Sequence, residues 1–374
     1  MSIVIPEELK PADGRFGCGP SKVRPAQIRA LAGSGSRYLG TSPDRRPVRS
    51  LVRRIRDDLR VLFALPEGYH VVLGAGGVSA FWNVAAYGLI RHRSQHLSCG
   101  VFSAMFAEVS RRCPWLEAPS VIEGPPGTHP VPRAEAGTDA YALTHCETST
   151  GVAMPVRRID AADDDALVLV DAHSAAGGLL VDPAGFDAYY FGPQKCFGAE
   201  AGLWVALMSP AALERAATVA SSGRYIPGFL SLTAAIEYSG RDLVAGEPSV
   251  TGLLLFAEQL DWMLGQGGLP WCNGRTSESA RRLYGWAERS PYTRPFVQDP
   301  AQRSAVAATI DLDPSVDARA VIQTLRANGI VDLEANRRWG PNQLRAALYP
   351  AIDPADIEAL TQCIDYVIER LFEG

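Results

Sequence analysis

The sequence predicts an α/β protein in which a mostly parallel sheet lies between helices, with a smaller C-terminal α+β domain. Three observations lead to this prediction. Up to about residue 250, short and continuously apolar runs alternate with amphipathic helical stretches, a pattern typical of strands buried on both faces. Beyond that point the pattern changes to long helices separated by single strands. The length of 374 residues also exceeds what one compact core usually holds.

The first part of the chain supplies the predicted sheet. A buried strand at 69–74 precedes a helix at 78–90. Further strands are predicted at these apolar runs: QHLSC (95–99), APSVIE (118–123), AYALTH (140–145), ALVLVDA (166–172), AYYFG (188–192) and GLWVALM (202–208). Because helices separate the runs, we expect most of these strands to be parallel and covered on both faces.

The second part predicts the smaller domain. A helix at 250–265 ends the large domain. The elements after it, in chain order, are a helix at 276–290, the strand AVAATIDL (305–312), a helix at 316–328, the strand within QLRAALYP (343–350) and a last helix. Asp353 is the expected N-cap of that helix and Pro354 its first residue. Its apolar residues share one face: Ile357, Leu360, Ile364, Val367, Ile368 and Leu371. We therefore assign 16–264 to a large domain, and 1–15 together with 265–374 to a small one.

Composition narrows the class of protein. With 47% hydrophobic and 21% charged residues, the chain has the composition of a soluble globular protein. The net charge is −5 and the 36 basic residues are scattered, which argues against nucleic acid or an anionic membrane as partner. Neither a membrane span nor a secretion leader is predicted. Seven cysteines without a C-x-x-C pair favour a reducing cytoplasm, and no metal site is predicted.

A glycine-rich turn follows the first strand. In VVLGAGGVSAFW, Gly76 and Gly77 lead from a strand into a helix, so backbone N–H groups at the helix N-terminus are available to an anion. An NAD site would also need an acidic residue about 20 positions later, and none occurs between Glu67 and Glu108. A lone phosphate group therefore fits this turn better than NAD does, with the Ser79 hydroxyl as an additional donor. A tight turn without a ligand is the alternative.

A carboxylate and an amine follow two other strands. Asp171 ends the apolar run LVLVD, at the edge of an open α/β sheet where ligands bind. Lys195, in YYFGPQKCFGAEAG, follows the next strand, although lysine is rarely buried without a partner. Pyridoxal phosphate uses a lysine, an acid for its pyridine nitrogen and a phosphate cup. A buried Asp–Lys ion pair that braces the two strands is the alternative, but the set as a whole favours the cofactor.

Ordered motifs along nearly the whole chain carry a resemblance to a known family. They are DGRFGCGPSKV (13–23), GGVSAFW (76–82), ETSTGV (147–152), DAYYFGPQK (187–195), FLSL (229–232), LRANGIVD (325–332) and NQLR (342–345). With them the chain resembles the phosphoserine aminotransferases, and most closely their actinobacterial form. The resemblance implies fold type I, class V, pyridoxal phosphate, a homodimer with composite active sites, and a place in serine biosynthesis. The reaction it implies moves an amino group between glutamate or 2-oxoglutarate and a small acidic 2-oxo acid such as 3-phosphohydroxypyruvate.

The resemblance also implies roles for individual residues. Lys195 would bind the cofactor covalently and move a proton at the substrate α-carbon, and Asp171 would keep the pyridine nitrogen protonated. Phe102 would stack on the ring and Thr148 would bond near its phenolic oxygen. The cofactor phosphate would be held by Gly77, Val78, Ser174 and Gln194. Arg345 would bind the substrate α-carboxylate with its guanidinium fork, whereas the alternative for Arg345 is a surface arginine flanking a strand.

Several positions depart from the family pattern. Relatives carry a His-Arg pair where this chain has Pro43 and Asp44, and Asn336 replaces an aromatic residue or histidine before the retained Arg337. Arg45 and Arg46 follow the lost pair, and a small shift of the loop would let them contribute charge to a substrate phosphate. Cys146 replaces an asparagine, and Gly246-Glu247 replaces an Asn-Thr pair that reaches the cofactor phosphate across the dimer. We expect 41–46 and 244–250 to be the partner's contributions to each site.

These departures keep other functions open. A changed acidic substrate is a rival to phosphoserine, because a phosphate dianion needs several donors. A pyridoxal-phosphate lyase or desulfurase, or another paralogue of specialised metabolism, is an alternative on the same scaffold, with thiols at Cys146 and Cys196 near the site. A non-catalytic binding relative is a further alternative, which a carboxylate at Glu247 facing a phosphate would favour.

Overall fold

The computed structural model describes residues 3–336, 338–340 and 342–373. The strands in chain order are β1 (His70–Ala75), β2 (Ser94–Ser98), β3 (Ser120–Glu123), β4 (Ala140–Thr144), β5 (Cys146–Glu147), β6 (Val152–Ala153), β7 (Leu167–Asp171), β8 (Ala188–Phe191), β9 (Leu203–Met208), β10 (Thr293–Pro295), β11 (Ala307–Leu312) and β12 (Gln343–Ala347). The helices are α1 (Pro25–Ser34), α2 (Arg46–Leu62), α3 (Val78–Gly88), α4 (Val101–Arg112), α5 (Pro210–Ala220), α6 (Leu232–Gly240), α7 (Val250–Gln266), α8 (Gly268–Arg289), α9 (Ala318–Ala327) and α10 (Pro354–Glu373).

The main sheet has seven strands in the order β1-β9-β8-β7-β4-β2-β3. Parallel pairs join β8 to β7, β7 to β4, β4 to β2 and β2 to β3. Strand β9 runs antiparallel to both β8 and β1, so the other six strands share one direction. The predicted mostly parallel sheet is confirmed, and the carboxyl ends of β1, β4, β7 and β8 lie at the same edge.

The central strands are buried on both faces, which explains their continuous apolar runs. Adjacent residues Tyr189 and Tyr190 are both fully buried but belong to different apolar clusters, since successive side chains of a strand point to opposite faces. One cluster includes residues of α2 and α7, and the other includes residues of α3 and α5. The sheet is therefore the middle layer between two helical layers.

The C-terminal region has the predicted α+β character, and its two predicted strands are β11 and β12. They form an antiparallel sheet with β10, a strand that the sequence did not predict. Asp353 is the N-cap of α10, since its carboxylate accepts a hydrogen bond from Ala355 N–H at 2.9 Å. Ile5 belongs to the same apolar cluster as α10, and its N–H donates to the Asn328 side chain. Leu371, expected on the apolar face, is 38% exposed near the end of the helix. The boundaries between the two domains stay a prediction.

One helix begins earlier than the sequence predicts. α8 starts at Gly268, two turns before the expected residue 276. The stretch Gly267-Gly268-Leu269-Pro270 reads as a loop, but proline is tolerated in the first turn, where its missing N–H costs no intrahelical bond. Within the described residues, every helix is too short or too polar to span a bilayer.

Candidate active site

A cavity of about 410 Å³ opens at the carboxyl edge of the main sheet. It is lined by Gly76, Gly77, Val78, Ser79, Trp82, Phe102, Met105, Thr144, Cys146, Thr148, Asp171, His173, Gln194, Ala201 and Gly202. The lining joins the glycine-rich turn to the ends of β4 and β7. Seven of the residues singled out from the sequence therefore meet at one place: Gly77, Val78, Ser79, Phe102, Thr148, Asp171 and Gln194.

The glycine-rich turn forms one end of this cavity. Gly77 caps α3 with a φ of 74°, and Gly76 has a φ of 111°, a left-handed region that favours glycine. A Cβ on Gly76 would also lie 2.8 Å from the Ala80 side chain. The first N–H groups of α3 have no intrahelical acceptor, so they are available to an anion at this end of the cavity.

Lys195 is buried beside the turn at Cys18–Ser21, a contact that the sequence did not predict. Its Nζ donates to the Cys18 carbonyl oxygen at 2.5 Å, and Ser21 Oγ donates to the Lys195 carbonyl oxygen at 2.6 Å. A Cβ on Gly19 would lie 2.6 Å from Nζ, so only glycine leaves room for the amine. Burial lowers the pKa of Lys195, and the positive charge of Arg345 lowers it further.

Asp171 and Lys195 follow neighbouring strands, so the alternative of an ion pair between them can be tested. Asp171 ends β7 and Lys195 follows β8, and the two strands are parallel neighbours, with Asp171 opposite Tyr190. In the described part of the chain, however, no ion pair joins the Lys195 amine to the Asp171 carboxylate. The two groups instead hold separate partners, which leaves each free to serve a ligand.

Asp171 accepts one hydrogen bond on each carboxylate oxygen. The indole Nε1 of Trp82 donates to Oδ2 at 2.8 Å, and the backbone N–H of His173 donates to Oδ1 at 2.9 Å. Burial raises the pKa of Asp171 to about 6, although both hydrogen bonds counteract the rise. The carboxyl is therefore mostly ionised at neutral pH while lying out of water.

The contacts of His173 fix the orientation of the Gln194 amide. His173 Nδ1 accepts from Gly192 N–H at 3.1 Å, and burial lowers the pKa of this histidine well below its usual value, so the neutral ring carries its proton on Nε2. That Nε2 lies 3.3 Å from Gln194 Nε2, and Gln194 Oε1 is buried without a hydrogen-bond partner among the described residues. Both atoms are satisfied when the Gln194 amide is turned by 180°, so that its oxygen accepts from the protonated His173 Nε2. The Gln194 NH₂ group then points away from His173 and is available to a phosphate.

Arg345 on β12 lies next to the site, in contact with Thr148 of the cavity lining. Its Nη1 donates to the Thr148 carbonyl oxygen at 3.2 Å. Its Nε is buried and has no hydrogen-bond partner within the described residues. An unpaired buried guanidinium donor is costly, so this geometry favours an anionic ligand next to Thr148. The alternative of a surface arginine does not agree with a buried Nε.

Ser174 lies behind Thr148 rather than with the glycine-rich turn. The Ser174 hydroxyl is in hydrogen-bond contact with that of Thr148, and Ser174 is fully buried. Its side chain is not among the described residues that line the cavity. Its role at the cofactor phosphate stays a prediction, and its observed contact supports the Thr148 hydroxyl instead.

Glu147 has contacts at the site that the sequence did not predict. Its fully buried carboxylate accepts hydrogen bonds from the N–H groups of Phe102 and Ser103, at 3.1 and 2.9 Å, and from Ser149 Oγ at 2.7 Å. These bonds anchor the N-terminus of α4, where a negative charge is favourable. Glu147 thereby fixes Phe102, and its position in ETSTGV was the available signal.

Replacing Glu147 by glutamine is expected to lower the free energy of unfolding by about 1–3 kcal/mol, because an amide NH₂ then faces backbone donors. Urea denaturation followed by circular dichroism measures the change. Glu135→Gln is the matched control, since that carboxylate accepts from Ser120 Oγ at 2.8 Å but is partly exposed. Equal losses in the two variants would contradict the role given to Glu147.

The arginines predicted to bind a substrate phosphate are not found among the described residues that line the cavity. Arg45 precedes α2 with 74% of its side chain exposed, and Arg46 is the first residue of that helix. Neither lines the cavity of its own chain, as far as the described residues show. Arg337 lies outside the described residues. Asn336 forms a turn, since its Oδ1 accepts from Arg338 N–H at 3.1 Å.

The loop that carries Gly246 and Glu247 lies beside the glycine-rich turn of the same chain. The Ala245 carbonyl oxygen accepts from Ala75 N–H at 2.8 Å, and a Cβ on Gly246 would lie 2.9 Å from the Ala75 side chain. Both Gly246 and Glu247 are exposed. That Glu247 meets a partner's cofactor phosphate stays a prediction.

The two thiols near the site are neutral. Burial raises the pKa of Cys146 to about 12, and the Cys146 sulfur lies 3.1 Å from Ser304 Oγ. Burial also raises the pKa of Cys196 well above its usual value, and this thiol donates to the Ser174 carbonyl oxygen at 3.3 Å. Since the thiolate is the nucleophile, neither group is activated for sulfur chemistry.

Known proteins share both the sequence and the fold of this chain. The family model of class-V aminotransferases matches residues 134–360. A phosphoserine aminotransferase of Nocardioides sp. is 56% identical over 371 residues, which covers 99% of each chain. A phosphoserine aminotransferase crystal structure from Cytophaga hutchinsonii superposes with a TM-score of 0.88 at 22% identity, covering 94% of this chain and 99% of that one.

A structure of pyridoxal-phosphate-bound phosphoserine aminotransferase from Trichomonas vaginalis gives a TM-score of 0.80 at 17% identity, with 94% and 99% of the two chains covered. At such identities the two structural matches establish the fold-type I architecture alone. The match to the family model and the full-length identity to the Nocardioides protein establish more. The chain belongs to the phosphoserine aminotransferase family of the class-V aminotransferases, a family that uses pyridoxal phosphate.

Proposed function

We propose that this protein is a pyridoxal-phosphate-dependent aminotransferase that moves an amino group between glutamate and 3-phosphohydroxypyruvate, forming phosphoserine and 2-oxoglutarate. The observation that carries the proposal is that Asp171 and the glycine-rich turn of α3 line one cavity, while the buried Lys195 follows the neighbouring strand β8 and interacts electrostatically with Asp171. The identity of 56% to a phosphoserine aminotransferase over nearly the whole chain supports this choice of substrate.

The donor set of the cavity fits pyridoxal phosphate. The N-terminus of α3 at Gly77 and Val78, together with the Gln194 NH₂ group, would hold the phosphate. Asp171 would pair with the pyridine nitrogen, and Phe102 would cover one face of the ring. The cavity volume of about 410 Å³ is in the range of small cofactor sites. When bound, the cofactor supplies an electron sink for the electrons released at the substrate α-carbon.

The residues of the chain would bind and position the reactants and move the proton. The Lys195 amine, whose pKa is lowered by burial, is suited to take a proton from the substrate α-carbon and return it during the reaction. The ionised Asp171 carboxylate would hold a proton at the pyridine nitrogen. Arg345 would fix the α-carboxylate through its Nε and an Nη group, so that the α-hydrogen faces the amine.

A second candidate is a different acidic substrate. Two residues favour it: Pro43 supplies no hydrogen-bond donor, and the exposed Asp44 is negatively charged and would repel a phosphate. A dianion that loses one partner of a buried charge pair is destabilised by roughly 3–5 kcal/mol. A substrate with a single negative charge on its side chain would avoid that loss.

The activity is tested with a panel of amino donors and 2-oxoglutarate as acceptor. We expect phosphoserine to exceed serine, aspartate, cysteate and alanine in kcat/KM by at least about tenfold. A lead by aspartate or cysteate would favour the second candidate. If Pro43→His with Asp44→Arg then raised the kcat/KM for phosphoserine, the altered pair would be the determinant. Release of pyruvate or sulfide would identify a lyase, and no reaction with any donor would favour a binding protein.

The proposed active unit is a homodimer whose sites contain residues of both subunits. Apolar side chains near the cavity support this: Met105 lines it and is 47% exposed, and Phe229, 62% exposed, lies against Gly76. Exposed apolar groups at a site edge indicate a covering surface. Segments 41–46 and 244–250 are the proposed contributions of the partner. The proposed compartment is the cytoplasm, where the free cysteines would stay reduced.

A further inference from the structure

We propose that Trp82 is a positioning residue for the reaction, in which its indole N–H holds the Asp171 carboxylate toward the pyridine nitrogen of the cofactor. The inference rests on the proposed function. The motif GGVSAFW gives the glycines and Ser79 a role at the phosphate but leaves Trp82 unexplained. In the structure Trp82 is 5% exposed and lines the same cavity as Asp171.

Two donors from different elements fix the carboxylate. The Trp82 indole comes from α3 and binds Oδ2 at 2.8 Å, whereas the His173 N–H follows β7 and binds Oδ1 at 2.9 Å. Rotation of the carboxylate about its own bond would break both hydrogen bonds. Each oxygen keeps a second lone pair for another donor. The carboxylate is therefore held in one orientation before any ligand arrives.

One rigid helix would then position both ends of the cofactor. α3 starts beside Gly77, at the proposed phosphate end, and Trp82 lies five residues later, about 7.5 Å along the helix axis. The indole is itself held by a stacked contact with Phe106, whose ring centroid is 6.3 Å away at an interplanar angle of 17°. Movement of α3 would shift the phosphate donors and the Asp171 partner together.

The hydrogen bond from the Trp82 indole affects the ionisation of Asp171, because the other groups around this carboxyl act on its pKa as well. The groups that interact with the carboxyl are Trp82 on α3, Glu147 on β5, Tyr189 and Tyr190 on β8, Lys195 after β8 and the neutral His173 just after β7. Burial is the main cause that raises the pKa of Asp171, and Glu147 adds to it. The Trp82 indole lowers that pKa, so its loss would reduce the ionised fraction near neutral pH.

The test is Trp82→Phe, which keeps an aromatic ring and removes the N–H donor. Cofactor dissociation constants are measured from about pH 5.5 to about pH 8.5, a range around the neutral point. We expect cofactor affinity at neutral pH to fall about 10- to 100-fold, the loss typical of a hydrogen bond to a charged group. The pH at which affinity begins to decline on acidification should move upward. Transamination should lose kcat in parallel.

Trp286→Phe is the matched control. Its indole Nε1 also donates to a carboxylate, that of Asp365 at 2.9 Å, but Trp286 is not part of the cavity lining. The control should bind the cofactor with the affinity and pH profile of the wild type. A wild-type profile in Trp82→Phe, or the same shift in both variants, would overturn the inference. If the wild-type chain bound no pyridoxal phosphate at all, the proposed function would fail instead.

A second measurement covers a Trp82→Phe chain that does not fold. In wild-type protein, the indole N–H proton resonance of Trp82 should shift with pH as Asp171 titrates, and this titration should be absent in Asp171→Asn. An indole resonance that ignores pH in the wild type, or that moves identically in Asp171→Asn, would show that the hydrogen bond does not report on the carboxylate.

Discussion

Lys195→Ala is expected to abolish transamination, with a loss of at least about a thousandfold in kcat, because the variant has no amine beside Cys18 and Asp171 to move the proton. The visible absorption band that the cofactor shows when joined to a lysine should disappear as well. Treatment with borohydride followed by mass spectrometry of the intact chain measures the same loss directly, since only a covalently attached cofactor adds mass to the protein.

Lys22 provides the matched control. It is also a buried lysine, but its amine lies 3.5 Å from Asp13 and 3.6 Å from Asp356, away from the residues that line the cavity. Lys22→Ala should keep the visible band and the added mass, while its stability falls because the buried Asp356 carboxylate loses a partner. An unchanged borohydride-reducible band in Lys195→Ala would mean that another amine holds the cofactor.

The parallel core of the fold could be predicted because its strands carry an unambiguous pattern. Up to Asp171, the last residue of β7, the runs that form β7 and β8 are continuously apolar or aromatic and buried, and strands of that kind occur between two covering layers. Once β7 and β8 are neighbours in a parallel sheet, Asp171 and Lys195 must come close to one edge. The proximity of Asp171 and Lys195 follows from the order of strands and helices along the chain, and local sequence patterns are enough to predict that order.

The direction of β9 could not be predicted in the same way. Its residues Leu203–Met208 are all buried, and the same residues would suit a parallel strand equally well. A continuous apolar run does not indicate the direction in which the strand runs. The antiparallel placement between β8 and β1 follows from how the chain returns after Lys195. Topology of this kind depends on the packing of the whole sheet rather than on the residues of the strand.

The contacts that shape the site were mostly beyond local sequence patterns. Gly19 leaves space for the Lys195 amine, Trp82 binds Asp171 and Glu147 binds the N–H of Phe102, and each pair is far apart in sequence. Spacing along the chain carries no information about such pairs. The resemblance singled out the motifs that contain Gly19, Trp82 and Glu147, but it gave these three residues no role.

Arg345→Lys is the other replacement with a large expected effect. We expect kcat/KM to fall by about two to three powers of ten for both glutamate and phosphoserine, mostly through KM, because a lysine ammonium cannot make the paired hydrogen bonds of a guanidinium. The buried Nε that lacks a partner among the described residues is the group whose loss matters most. Steady-state kinetics with each donor measures the effect.

Arg275→Lys is the control, since that guanidinium donates to the Pro350 carbonyl oxygen at 2.8 Å and to Asp353 at 2.9 Å, outside the cavity lining. It should leave both kcat/KM values within about twofold of the wild type. The comparison between the two donors decides what Arg345 binds. Glutamate and phosphoserine share an α-carboxylate but differ in their side-chain acids, so an equal loss assigns Arg345 to the α-carboxylate. A loss confined to phosphoserine would instead assign it to the substrate phosphate, and the α-carboxylate would then need another partner.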